Sequence, residues 1–210
     1  ISCVGRFAAF ATFVLLVAGC TSGSGDASDD TFTPTSTYTP PTYSISSSPT
    51  APSVATTGPN VRPGEKPPTL PAAGRTNTPA GAAVFASFYI RALDWGYATM
   101  DSTLAKSLFA PSCRGCARFA SIIDSAREEG DHFTGGRISI SRYELADNDR
   151  RMRAARAVDV TYAQQAVEQV AADGSVDARA PALTHLVRRV WLRWNSPGWT
   201  VVETLKVVHR

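Results

Sequence analysis

The chain has 210 residues, 43% of them hydrophobic, and a formal net charge of +3. Between Thr21 and Thr78, 37 of 58 residues are Ser, Thr, Pro or Gly, and ten of the fourteen prolines fall there, so the stretch able to form a core runs from about Pro79 to Arg210. One core of ordinary size fits in that length, which excludes a two-domain enzyme and a polytopic membrane protein.

The first segment in chain order is a leader. Arg6 precedes an uncharged apolar run of thirteen residues from Phe7 to Gly19. Spanning a bilayer takes about 20 apolar residues, so this run matches the hydrophobic region of a secretory signal peptide instead. It ends in Val17-Ala18-Gly19-Cys20, which resembles the bacterial lipobox. The resemblance implies that residues 1–19 are a lipoprotein signal peptide, cut just before Cys20, and that the Cys20 thiol is acylated. Several acyl chains hold a protein durably where one holds it reversibly. The expected localisation is therefore the extracytoplasmic face of the cell membrane, lipid-anchored at Cys20. A plain secreted protein with an incidental Cys20 is the alternative.

Residues 20–63 come next. A composition this poor in large apolar side chains cannot offset its ordering entropy, and repeated prolines favour extended stretches of up to about 3.1 Å per residue. A disordered tether is expected, with the composition of an O-glycosylated stalk. Pro63-Gly64-Glu65-Lys66-Pro67-Pro68 marks the boundary, and the folded domain is expected over 64–210.

Thr78-Pro79 starts a helix, with a hydroxyl N-cap and a proline at the first helical position. Phe85, Phe88, Tyr89, Ala92 and Trp95 follow at three- and four-residue spacing, one apolar helical face. Asp101 caps a short second helix carrying Leu104 and Leu108. Cys116, Phe119, Ala120 and Ile123 outline a third helix ending near Gly130. The period then changes to two. Ile138 and Ile140 alternate with serines, and the shift to Tyr143 and Leu145 predicts a bulge. Val158, Val160 and Tyr162 form the next strand, then Val190, Leu192 and Trp194, then Val201, Leu205 and Val207. Asp173-Gly174 and Ser196-Pro197-Gly198 supply turns. The expected fold class is α+β, with three N-terminal helices packed on a four-stranded antiparallel sheet.

This element order resembles the nuclear-transport-factor-2-like (NTF2-like) superfamily, and the resemblance implies a curved, cone-shaped sheet around the first helix. The lipobox, the Ser/Thr/Pro tether, Lys66-Pro67-Pro68, the aromatic first helix and Cys113-Arg114-Gly115-Cys116 are together similar to an actinobacterial lipoprotein family, the domain of unknown function 6318, over about residues 64–210. Neither resemblance implies an activity, because one fold carries enzymes and binding modules alike.

Cys113 and Cys116 are the only cysteines beyond Cys20. In an oxidising envelope they are expected as a disulfide. The alternative is a redox pair whose thiol pKa is lowered at a helix N-terminus, although helical sequence rather than a strand precedes the motif. A zinc site needs two more ligands, and His132, His185 and His209 show no ligand spacing, so no metal and no cofactor are expected. The acids and bases available to a cone-cavity enzyme are Asp94, His132, Asp159 and His185. No spacing forces any two of them together, and no nucleophile elbow or phosphate-cradling loop is present.

Trp191, Trp194 and Trp199 cluster on the last hairpin, where they either fill the core or line a site for an apolar ligand. Trp191 shares a strand face with Arg189 and Arg193, which makes those three residues the candidate binding surface. Arg150, Arg151, Arg153 and Arg156 form the one dense basic cluster. Asp147 and Asp149 just ahead of them partly cancel its field, so no nucleic acid is expected as a partner. These features together predict a non-catalytic module, displayed from the membrane, that binds an envelope protein or a small apolar ligand. An enzyme and a thiol–disulfide protein are the two alternatives.

Overall fold

The first helix, α1 (Pro79–Thr99), organises the domain. Thr78 caps it by accepting a 3.0 Å hydrogen bond from the Gly81 amide, and Met100 ends it with a left-handed backbone at φ 58°. Fifteen of its 21 residues are buried. A helix apolar on every side belongs inside a protein rather than on its surface, and α1 is the central rod. In this computed structural model the described residues are 53–146, 152 and 155–207. Cys20, the leader, the tether up to residue 52, Arg150, Arg151, Arg153 and His209 lie outside them.

A single turn, α2 (Thr103–Lys106), leads to α3 (Arg114–Glu129), which buries only Cys116, Ala120, Ile123 and Ala126. Seven strands follow: β1 (His132–Gly135), β2 (Ile138–Leu145), β3 (Arg156–Gln164), β4 (Val167–Val170), β5 (Val176–Ala180), β6 (Leu183–Asn195) and β7 (Gly198–Val207). They divide between two antiparallel sheets, one ordered β1-β4-β5 and the other β2-β3-β6-β7.

This corrects the expected fold class. The cone of three helices on one curved four-stranded sheet does not describe the structure: among the described residues seven antiparallel strands form two sheets, with three α-helices, one of them a single turn. The physical reason lies in the second sheet. β4 and β5 are short, and β5 is exposed along its whole length, so they lack the buried alternating side chains by which strands are read from sequence.

The main core draws Phe85, Tyr89, Ile90 and Leu93 from α1 together with Val158 and Val160 of β3, Val190 and Leu192 of β6 and Val201 of β7. A smaller cluster joins Met100, Ala126 and Phe133, with Tyr97 edge-on to Phe133 at 5.2 Å between ring centres. The bulge expected in β2 falls between Ile140 and Arg142.

Residues 55–65, which composition assigns to the tether and the boundary, form a strap along α1. Trp95 Nε1 donates to Ala55 O at 2.9 Å, the Asn60 amide to Ala98 O at 3.1 Å, and Asn60 Nδ2 to Gly135 O at 2.7 Å. Gly58 lies so close to α1 that a Cβ there would sit 2.3 Å from Thr99 Cα. Fixed contacts thus begin ahead of residue 64.

Candidate functional site

Three features near the core carry the polar chemistry. The first is the disulfide between Cys113 and Cys116, both fully buried. It sits at the start of α3, where Cys113 Sγ accepts the Cys116 amide at 3.2 Å and so serves as the N-cap. Glu203 of β7 reaches the same helix end, accepting the Gly115 amide at 3.3 Å and the Thr204 amide at 2.8 Å. A carboxylate beside a helix N-terminus is favoured by the positive end of the helix dipole. Gly115 admits the contact, since a Cβ there would meet Thr204 O at 2.3 Å. Glu203 Oε1 also lies 3.9 Å from Cys113 Sγ.

The second feature is a charged knot around Arg137, whose side chain is 8% exposed. Its Nη2 donates to Glu65 Oε1 and, at 2.9 Å, to Asp94 Oδ2, while its Nη1 reaches Glu65 Oε2 at 2.9 Å and Asn60 O at 3.2 Å. Asp94 Oδ1 also accepts the Ile138 amide at 2.9 Å. The Arg137 guanidinium holds the Glu65 carboxyl down at about 2, and the hydrogen bonds to Glu65 push Arg137 further toward its charged form. A cleft of about 310 Å³ opens over this knot, with Arg62, Lys66 and Arg91 on its walls.

The third feature surrounds Arg188 of β6. Leu186, Arg188, Val190 and Leu192 share one strand face, on which the other three are buried. Arg188 Nε donates to Tyr162 Oη at 3.1 Å, and its guanidinium lies 4.4 Å over the Phe119 ring. A hollow of about 380 Å³ is lined by Gly115, Arg118, Phe119, Ile122, Arg188 and residues 204–206. A second, of about 150 Å³, lies against Ile90, Leu93, Tyr97, Tyr162, Leu186 and the same Arg188.

The remaining residues singled out from sequence are placed as follows. Trp191 is 5% exposed and buried, so the expected exposed aromatic between Arg189 and Arg193 is corrected. Arg189 is bound to Asp159 through two hydrogen bonds, of 2.8 and 2.7 Å, and Arg193 is exposed. Trp199 lies in the core and donates to Thr76 O at 2.9 Å, with Trp194 edge-on to it at 5.1 Å.

Asp94 is taken up by Arg137. Asp159 and His185 line one hollow of about 480 Å³ on the sheet, but both Asp159 oxygens already accept from Arg189. Neither His132 nor His185 hydrogen-bonds a carboxylate among the described residues. The described residues also hold no cluster of three or more His, Cys, Asp or Glu suited to a metal ion, and no helix among them is long and apolar enough to cross a membrane.

Sequence reasoning passed over Arg137, Glu65 and Arg188. For Arg188 a signal was present, because a cation stands on the apolar side of an alternating strand. For Glu65 and Arg137, 72 positions apart, no local pattern announces a partner.

The domain is thus defined by two antiparallel sheets, of three and four strands among the described residues, with α-helices and a buried disulfide at a helix start. Residues 62–205 match the family of unknown function DUF6318, and the chain belongs to that family. No curated protein matches it. Among solved structures it is similar to the intermembrane space region of the chloroplast protein ARC6, at 9% identity and a TM-score of 0.45, over 64% of this chain and 99% of that one. It is also similar to Aln2 from a Streptomyces species, at 14% identity and a TM-score of 0.35, over 60% of this chain and 89% of that one. Likeness at that level carries no activity across.

Proposed function

We propose that the chain is an actinobacterial cell-envelope lipoprotein, anchored through Cys20, carried on a tether that runs from Cys20 to the strap beginning at Ala55, and working as a non-catalytic binding module. The observation that carries this reading is the Cys113–Cys116 disulfide with both sulfurs buried, since such bonds persist in oxidising compartments. The lipobox sequence Val17-Ala18-Gly19-Cys20 supplies the anchor. Binding rather than catalysis is supported by the carboxylates an acid–base mechanism would draw on. Asp94 and Asp159 are both committed to arginines. Small-molecule sites are concave, mostly apolar and marked by a few placed polar groups, a description the hollows around Arg188 meet.

Mass spectrometry of the N-terminal peptide from the membrane fraction tests the anchor. The expected result is a chain beginning at Cys20 with a diacylglyceryl group on its sulfur, and release of a Cys20→Ala variant into the soluble fraction. An unmodified Cys20, or a variant that stays membrane-bound, would sink the reading.

A further inference from the structure

Among the described residues three arginines are partly or fully buried, and two of them have carboxylate partners. Arg137 holds Glu65 and Asp94, and Arg189 holds Asp159. Arg188 differs. Its Nε is used by Tyr162 Oη and its face by Phe119, while its two Nη groups meet no carboxylate among the described residues. A guanidinium half-withdrawn from water and lacking a counter-charge favours an anion.

The surroundings narrow that anion's character. The hollows of about 380 and 150 Å³ share Phe119, Arg188 and Lys206 as lining residues. Neither has an acidic residue on its walls, and Arg118, Arg188 and Lys206 supply three cations. The described residues have six exposed large apolar side chains, and three of them, Ile122, Leu183 and Leu205, are among the lining residues. Apolar side chains left in water around a cationic centre mark a place for something partly apolar. Burial pushes the Tyr97 phenol up to about 12, so that hydroxyl stays neutral on the wall beside Arg188.

We propose that this groove binds a single-chain carboxylate of the fatty-acid class, its carboxylate forked by the Nη groups of Arg188 and its chain lying in the larger hollow against Phe119, Ile122 and Leu205. Charge complementarity selects an anion. The planar end of one guanidinium matches a carboxylate bidentately, and the larger hollow alone falls within the ~300–1,000 Å³ of small-molecule sites. The inference rests on the binding-module reading above and names its ligand class.

Calorimetric titration of the full chain with decanoate, below its micellar concentration, is the test, with decan-1-ol as the uncharged match. Decanoate should bind one to one and at least about tenfold more tightly than decan-1-ol, the size of a charge-assisted pair. Arg188→Met should lose that difference. Ile122→Glu places a carboxylate on a side chain already 40% exposed, so it should weaken decanoate by a similar factor with an unchanged melting temperature, which separates lost binding from lost folding. Equal binding of acid and alcohol, wild-type affinity in both variants, or a silent decanoate titration would overturn the proposal. So would binding of an acidic peptide in place of decanoate. The two proposals fail separately. Decanoate binding by a chain whose Cys20 carries no lipid would remove the anchor and keep the ligand, and a silent titration of a lipidated chain would do the reverse.

Discussion

Replacing Arg137 by Met is the most informative single change outside the binding groove. Methionine keeps most of the side-chain volume but removes the guanidinium that ties Asn60 and Glu65 of the strap to Asp94 of α1. Two carboxylates are then left facing each other, Asp94 at 14% and Glu65 at 26% side-chain exposure. Removing one partner of a buried ion pair costs about 3–5 kcal/mol, chiefly because the remaining charge is uncompensated. Glu65 can turn toward water, which places the expected loss at the lower end, about 3 kcal/mol. In a domain of this size that corresponds to a melting temperature lower by about 6–12 °C. Glu65→Gln is the matched control, because Arg137 keeps Asp94 and only one arm is weakened, at about 1 kcal/mol. Urea unfolding at pH 7 measures both variants. Amide hydrogen exchange adds the location: in Arg137→Met the strap amides of Ala55 and Asn60 should exchange faster, with the α1 interior unchanged. A loss under about 1 kcal/mol for Arg137→Met, or equal losses in the two variants, would refute the assignment of Arg137 as the clasp.

Three further outcomes are expected. The Glu65 carboxyl is held at about 2 by Arg137 against an ordinary 4.5. Its stabilising contribution is therefore complete above pH 4.5 and lost as pH falls from 4.5 toward 2, and Glu65→Gln should flatten stability over that window in an acid titration. Trp191→Ala should destabilise by about 3–5 kcal/mol as a buried aromatic deletion, read by urea unfolding; a loss below about 1 kcal/mol would mean the indole is not packed. Replacing both Cys113 and Cys116 by Ser should cost about 2 kcal/mol, the value for so small a loop. Mild reductant should open the native bond slowly because neither sulfur is exposed, and rapid reduction under native conditions would contradict that burial.

Legibility from sequence followed the strength of local signals. Thr78-Pro79 marked the start of α1 because capping chemistry is written in adjacent residues. The long alternating runs around Val158, Val190 and Val201 marked β3, β6 and β7 for a similar reason, and the Cys113/Cys116 spacing announced the disulfide. The second sheet stayed hidden, since Val167–Val170 and Val176–Ala180 are short and half or fully exposed. The strap stayed hidden for another reason. Its composition is that of a disordered segment, and distant groups, Trp95 Nε1, Ala98 O, Gly135 O and Arg137, give it a fixed course. Trp191 misled because its strand neighbours Arg189 and Arg193 suggest an outward face, yet the indole is buried there. Its Nε1 finds no hydrogen-bond partner among the described residues. Burial of that kind comes from tertiary contacts, not from alternation along one strand.

The strap also decides how the domain would respond to a pull on the chain ahead of residue 53. Tension applied there meets the Trp95–Ala55 hydrogen bond first, the Asn60 bonds second and the Arg137 clasp third. Ala55 is held by Trp95 and Asp101, and Asn60 by Ala98, Gly135 and Arg137, so the load passes along the chain from one small group of bonds to the next. Thr76 and Thr78, bonded to Trp199 and to the first turn of α1, come only after the clasp. A domain pulled from that end can in this way lengthen by releasing strap before the load reaches the Thr76 and Thr78 bonds at the start of α1.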